Sequence, residues 1–131
     1  MYIPPGFGTV TPYCFVDDAE AFIAFLIDGL GGTETLRSLR PDGKPANVQV
    51  LIGTSTLMVS EASVAYPAMR GSYYLYVSDA DAAMARALAH GAVLEMPVRD
   101  MPYGDRQGGV RDRHGNLWWL SERRVHAPYS A

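Results

Sequence analysis

Apolar residues recur along this chain with two spacings, alternate positions and every third or fourth, and the switches between them mark its elements. Residues 9–16 (TVTPYCFV) are rich in β-branched and aromatic side chains and read as a strand. Pro12 has no N–H to give a ladder, which places this run at a sheet edge or a bulge. Asp17 and Asp18 suit the start of a helix. Ala19, Phe22, Ile23, Leu26 and Leu30 then follow the spacing of a buried stripe, and Gly31 with Gly32 stops it. Residues 33–39, 46–52 and 56–60 read as three more strands, parted by Pro41-Asp42-Gly43-Lys44 and Gly53-Thr54-Ser55. After a loop over residues 62–71 the pattern restarts. Residues 72–77 (SYYLYV) are strand-like, Asp79 caps a helix over residues 80–90 with Ala83, Met84, Ala87 and Leu88 as its stripe, and Gly91 ends it. His90, in the last turn, complements the helix dipole. A strand over residues 93–98, a loop over 99–102 and two strands around the turn at 112–116 (DRHGN) follow. Residues 1–8 read as an arm and 125–131 as a tail.

The order is therefore β-α-β-β-β twice, and a constant offset supports it. Phe15 to Ala19 match Tyr76 to Ala80 at a separation of 61 residues, and Val59-Ser60-Glu61 match Leu120-Ser121-Glu122 at the same separation, as Gly43 matches Gly104. Agreement at both ends of each half indicates an internal duplication, with repeats over about residues 9–61 and 72–122 of one domain spanning 1–131.

The run from Gly104 to Trp118, GDRxGxVxDxxGNxW, closely resembles the C-terminal signature of the glyoxalase / bleomycin-resistance / ring-cleaving dioxygenase superfamily, the vicinal oxygen chelate fold. Arg113 departs from it, since relatives usually carry Pro there, and the turn lacks the ring that would stiffen it. The resemblance implies an α+β fold in which two βαβββ repeats form a curved mixed sheet, a cup with helices outside. It also implies a homodimer.

Parity assigns the strand faces. Val10, Cys14, Val16, Leu57, Val59, Leu75, Val77, Trp118 and Leu120 are expected under the helices. Thr11, Tyr13, Met58, Ser72, Tyr74, Tyr76 and Trp119 are expected to line the cup, a set rich in hydroxyls and rings that suits a small, partly aromatic ligand. Metal-dependent relatives place His, Glu or Gln at four symmetric strand positions, and here these fall on Thr11, Met58, Ser72 and Trp119. A hydroxyl is a weak ligand, a thioether a soft one, and an indole offers no lone pair, so no metal or other cofactor is expected there. Asn47, Gln49, Glu61, Glu122 and His114 are the stand-in candidates, with Glu61 and Glu122 expected as strand-end surface carboxylates and His114 and His126 as solvated. Asp105 and Arg106 are expected to pair and anchor the seventh strand, although Arg106 could reach an anionic ligand. No nucleophile constellation is legible.

Composition narrows the function classes. The chain has 131 residues, 48% of them hydrophobic, with net charge −3, which suits one globular core and disfavours nucleic acid. The longest apolar run is too short for a bilayer and the first residues lack a signal peptide's pattern, so a cytoplasmic protein is expected. The lone Cys14 excludes an internal disulfide. Three readings follow: metal-free binding of a small molecule, of the sequestration or resistance type; a metal-dependent lyase, isomerase or dioxygenase with unusual ligands; or an assembly protein whose cup is filled by side chains or a partner.

Overall fold

The computed structural model describes residues 1–130, and the chain divides into two compact units, Met1–Met69 and Arg70–Ala131. In the first unit, β1 (Tyr13–Val16) leads to α1 (Ala19–Ala24), then β2 (Thr33–Leu39), β3 (Pro45–Ile52) and β4 (Ser55–Glu61). In the second, β5 (Ser72–Tyr76) leads to α2 (Ala80–Ala89), then β6 (Val93–Asp100), β7 (Asp105–Arg111) and β8 (Leu117–Arg123). Each unit is a four-stranded mixed sheet, ordered β1-β4-β3-β2 and β5-β8-β7-β6, with β1 parallel to β4 and β5 parallel to β8. A parallel neighbour needs a crossover connection, and the helix supplies part of it while covering one face of its sheet. The expected α+β class and the two βαβββ repeats are therefore present, and the duplication extends to register. Tyr13 lies opposite Met58 and Tyr74 opposite Trp119, both members of the second pair 61 residues after those of the first.

The cores follow the predicted alternation. Val16, Val48, Val50 and Val59 of the first sheet are buried with Ala19, Phe22 and Leu26, as are Val110, Trp118 and Leu120 of the second with Ala80, Met84 and Ala87. Burial of each large apolar side chain contributes roughly 1.5–3 kcal/mol.

Several expectations need correction. β1 begins at Tyr13 and not at residue 9, so Thr11 precedes the strand, and Val10, expected in the core, is 87% exposed. Pro12 explains the late start: it gives no N–H, and its carbonyl serves only to accept from Met58 N–H at 3.0 Å. The predicted helix over residues 19–30 becomes π-helical over Phe25–Gly29, where Leu30 N–H reaches Phe25 O at 3.1 Å. The wider turn buries Phe25 beside Leu26. Gly31, at φ 81, and Gly32 close this helical segment by donating to Ile27 O and Leu26 O. Leu88, expected in the α2 stripe, is half-exposed, and fully buried Ala80 takes its share. β6 continues to Asp100 into the predicted loop, with register shifts on either side of Met96, the second of them spanning Pro97.

Candidate functional site

Ser72, Tyr74 and Tyr76 alternate along β5 on the face opposite the α2 side of their sheet, and Trp119 stands across from Tyr74 on β8. Trp119 Nε1 donates to Ser72 Oγ at 3.0 Å, and the Tyr74 and Tyr76 rings meet edge to face at 5.3 Å. The four site residues expected in this unit therefore share one face. In the first unit Tyr13 and Met58 are register partners. The Tyr13 ring stacks on Phe15 at 4.8 Å, Phe15 on Tyr66 at 5.5 Å, and Tyr13 Oη lies 3.3 Å from Ser60 Oγ. Thr11, outside β1, donates to Gly8 O over a long 3.5 Å.

The second unit adds a polar cluster that the expected set lacks. Asp105 and Gln107 share the parity of Trp119 through the β7–β8 register, where Asp105 faces Arg123, Gln107 faces Ser121 and Gly109 faces Trp119. Asp105 is 2% exposed. Its Oδ2 accepts from Tyr74 at 2.5 Å and from Tyr129 at 2.7 Å, while Oδ1 accepts from Arg123 at 3.0 Å. Burial pushes its carboxyl up, but the hydrogen bonds from Tyr129, Tyr74 and Arg123 outweigh it, and the net shift is downward. Burial, then the adjacent Asp105, pushes the Tyr74 phenol up to about 12. The same two causes, led by burial, raise Tyr129. Both phenols therefore stay protonated and donate to an ionised carboxylate.

Tyr129 comes from the stretch read as a tail. Its hydroxyl lies 2.8 Å from Tyr76 Oη, and its ring lies under the Arg123 guanidinium, whose central carbon is 4.1 Å from the centroid. The β7–β8 register carried the signal for Asp105 and Arg123, because residues opposite each other share a face. Nothing local in the sequence marked Tyr129. The expected Asp105–Arg106 pair does not form: neighbours on a strand point to opposite faces, and Arg106 binds Asp81 and Asp100 instead.

The 112–116 turn is a closed hydrogen-bond system. Asp112, 4% exposed, accepts from the backbone N–H groups of His114 at 2.9 Å and Asn116 at 3.0 Å, from Asn116 Nδ2, and from Trp118 Nε1 at 2.9 Å. Asn116 Oδ1 in turn accepts from Gly71 N–H at 2.7 Å. Spacing explains the motif: the carboxylate fixes the turn and gives the buried indole its partner. His114 is half-buried in this turn and His126 exposed.

Glu61 and Glu122 are helix caps and not idle surface carboxylates. Glu61 accepts from the N–H groups of Asp18 and Ala19, each at 2.9 Å, and Glu122 from Ala80 N–H at 3.0 Å. Gln49 donates to Asn47 at 3.2 Å. Asn47, Gln49, Glu61 and Glu122 are thus engaged in local structure. Among the described residues no group of three His, Cys, Asp or Glu could hold a metal ion. The donor set at Thr11, Met58, Ser72 and Trp119 does not fit the divalent cation that the fold's metal-dependent members carry.

Two βαβββ units with matching topology and register, one bearing an aromatic face, define a module-duplicated α+β protein. The chain belongs to the Glyoxalase/Bleomycin resistance protein/Dioxygenase superfamily, whose pattern matches residues 7–120, as the signature run led one to expect. An uncharacterized protein of Mycobacterium bovis is 31% identical over 124 residues, covering 86% of this chain and 82% of that protein. Among solved structures, TioX from Micromonospora sp. ML1 superposes with a TM-score of 0.74 at 26% identity, covering 88% of this chain and 99% of that one. TnmS3, an antibiotic binding protein from Streptomyces sp. CB03234, shares the fold with a TM-score of 0.71 at 23% identity, covering 94% of this chain and 98% of its own. No helix among the described residues is long and apolar enough to cross a membrane.

Proposed function

We propose that this chain binds a small, partly aromatic molecule without a metal ion, on the face of the second unit that carries Ser72, Tyr74, Tyr76 and Trp119. The observation that carries this reading is the face of the second sheet. Tyr74 and Tyr76 are 42% and 58% exposed there, beside half-buried Trp119, and rings left in water at this density suit a planar ligand. Ser72 Oγ accepts from Trp119, which leaves its own O–H to donate to a ligand. That a fold neighbour is an antibiotic binding protein agrees with a binding role. A homodimer belongs to the same proposal: all seven residues of the β2 edge strand are exposed, Leu36 and Leu39 among them, and sedimentation velocity tests it.

The test of binding is titration of the metal-stripped protein with a panel of aromatic antibiotics and metabolites, read by tryptophan fluorescence and calorimetry. Binding should quench Trp119, and Trp119→Phe should abolish the optical signal while buried Trp118 still emits. Silence by both methods across the panel, or binding that appears only when a divalent metal is restored, overturns the reading.

A further inference from the structure

The tail residue Tyr129 occupies a place that the rest of the second unit builds for a phenol. Its hydroxyl donates to Asp105 Oδ2 at 2.7 Å. With its proton so committed, it accepts from Tyr76 across 2.8 Å. One oxygen must both give and take a hydrogen bond here, beside a buried, ionised carboxylate. An ether or ketone cannot donate, and a carboxylate or phenolate would face Asp105 as a like charge. The Arg123 guanidinium over the ring, 4.1 Å from its centroid, selects an aromatic body over an aliphatic alcohol. Arg123 is itself held in place by Asp105 Oδ1 at 3.0 Å and by Tyr103 O.

Two further observations bear on what this place is for. The duplication gives it no counterpart: 61 residues before Asp105, Gln107 and Arg123 stand Lys44, Ala46 and Ala62, so the βαβββ unit folds without it. A hollow of about 560 Å³, lined by Tyr103, Arg123, Val125 and Pro128 among others, shares Arg123 with this place and takes part of its wall from the same tail. The tail stays attached here through Arg123 donating to Ala127 O at 2.7 Å and Pro128 O at 3.2 Å, while Tyr129 itself is 49% exposed.

We propose that Asp105, Tyr76 and Arg123 form a subsite for a phenolic hydroxyl and its ring, and that Tyr129 is the chain's own occupant, displaced when a hydroxyaryl ligand binds. The proposal rests on the small-molecule reading above and narrows its ligand class to phenols. Tyr129 sets a threshold: a ligand must out-compete a tethered phenol, so weak aromatic binders are excluded without closing the sheet face to strong ones.

The experiment uses the full chain as wild type, Tyr129→Phe and Tyr129→Ala, titrated by calorimetry with 2-naphthol and with 2-methoxynaphthalene. Far-UV circular dichroism checks that the variants stay folded, as a half-exposed side chain outside every helix and strand leads one to expect. Tyr129→Ala should bind 2-naphthol at least tenfold more tightly than wild type, with Tyr129→Phe between them. The methoxy compound should gain less than threefold, and adding Asp105→Asn to Tyr129→Ala should narrow the naphthol's advantage. Equal affinities of wild type and Tyr129→Ala for 2-naphthol, or an equal gain for the ether, overturn the subsite. If both compounds bind wild type and quench Trp119 with no effect of Tyr129, only this inference fails. If neither binds any of the three proteins, the subsite falls, while the wider panel still decides the small-molecule reading.

Discussion

Glu122 Oε1 accepts the backbone N–H of Ala80 at 3.0 Å, as Glu61 Oε1 accepts that of Ala19 at 2.9 Å. Glu61 is the final residue of β4 and Glu122 the penultimate residue of β8, and each reaches back to the first turn of its unit's helix. The repeat has therefore kept a contact and not merely a residue type. A carboxylate at this point satisfies an N–H that lacks an intrahelical partner, and it meets the positive end of the helix dipole.

Removing these caps should loosen each unit to a degree set by the number of N–H groups left bare. Glu122→Ala should cost about 1 kcal/mol and Glu61→Ala, which bares both Asp18 and Ala19, about 2 kcal/mol. Glutamine at either position keeps an acceptor and should recover about half of the loss. Urea unfolding of the four variants checks the order. Equal costs for Glu61→Ala and Glu122→Ala would count against the capping account.

A larger loss is expected at Asp112. Its carboxylate serves two backbone N–H groups, the Asn116 amide and the Trp118 indole, so Asp112→Ala strands several donors in the core. The cost should be about 3 kcal/mol or more. Asp112→Asn retains one acceptor oxygen and should fall between. Near-UV circular dichroism should lose its tryptophan bands in Asp112→Ala as Trp118 loses its fixed orientation. A variant as stable as the wild type would refute a structural role for this turn.

The elements were legible where local chemistry and burial agree. Asp79 accepts from Ala82 N–H as its position before a helix predicts, and Val48, Val50, Leu57 and Val59 alternate into the core. The sequence failed where a backbone contact decides. The start of β1 depends on Pro12 lacking an N–H, and the end of α1 on a π turn that periodicity does not encode. The site was half legible for the same reason. Parity places Tyr74, Tyr76 and Trp119 on one face, yet Tyr129 arrives from a segment with no period at all, and only the folded chain brings it to Asp105.

Titration should expose that encounter. Asp105 is depressed in the folded state, so the stability it contributes is present above its unfolded pKa of about 4 and is lost as pH falls through the lower folded value. Tyr74 is raised to about 12 from 10.0, so its share is fully present below pH 10 and lost as pH climbs toward 12. Urea midpoints followed from pH 2 to 12 should therefore fall at both ends. Tyr74→Phe should flatten the alkaline limb, and Tyr129→Phe should shallow the acid one by removing a donor to Asp105. Profiles that superimpose on the wild type would dismiss the coupling.

Gly109 offers the sharpest separation of binding from folding. It faces Trp119 across the β7–β8 ladder, and a Cβ built on it would sit 2.7 Å from Trp119 Cζ3 and 2.9 Å from Cε3. An indole ring does not yield as a flexible chain end does, so Gly109→Ala must turn Trp119 and break its bond to Ser72 Oγ. The neighbouring Gly108→Ala meets Met84 Cε at 2.5 Å and Val98 Cγ2 at 2.8 Å, side-chain ends that lie on the other face. Both substitutions should cost about 1–3 kcal/mol in stability. They should differ in affinity: Gly109→Ala should weaken the binding of an aromatic ligand at least tenfold, and Gly108→Ala by less than threefold. Side-by-side calorimetry of the two variants reads this directly. Equal losses would mean that Trp119's orientation does not matter to the ligand, and the aromatic face would no longer be the place where it binds.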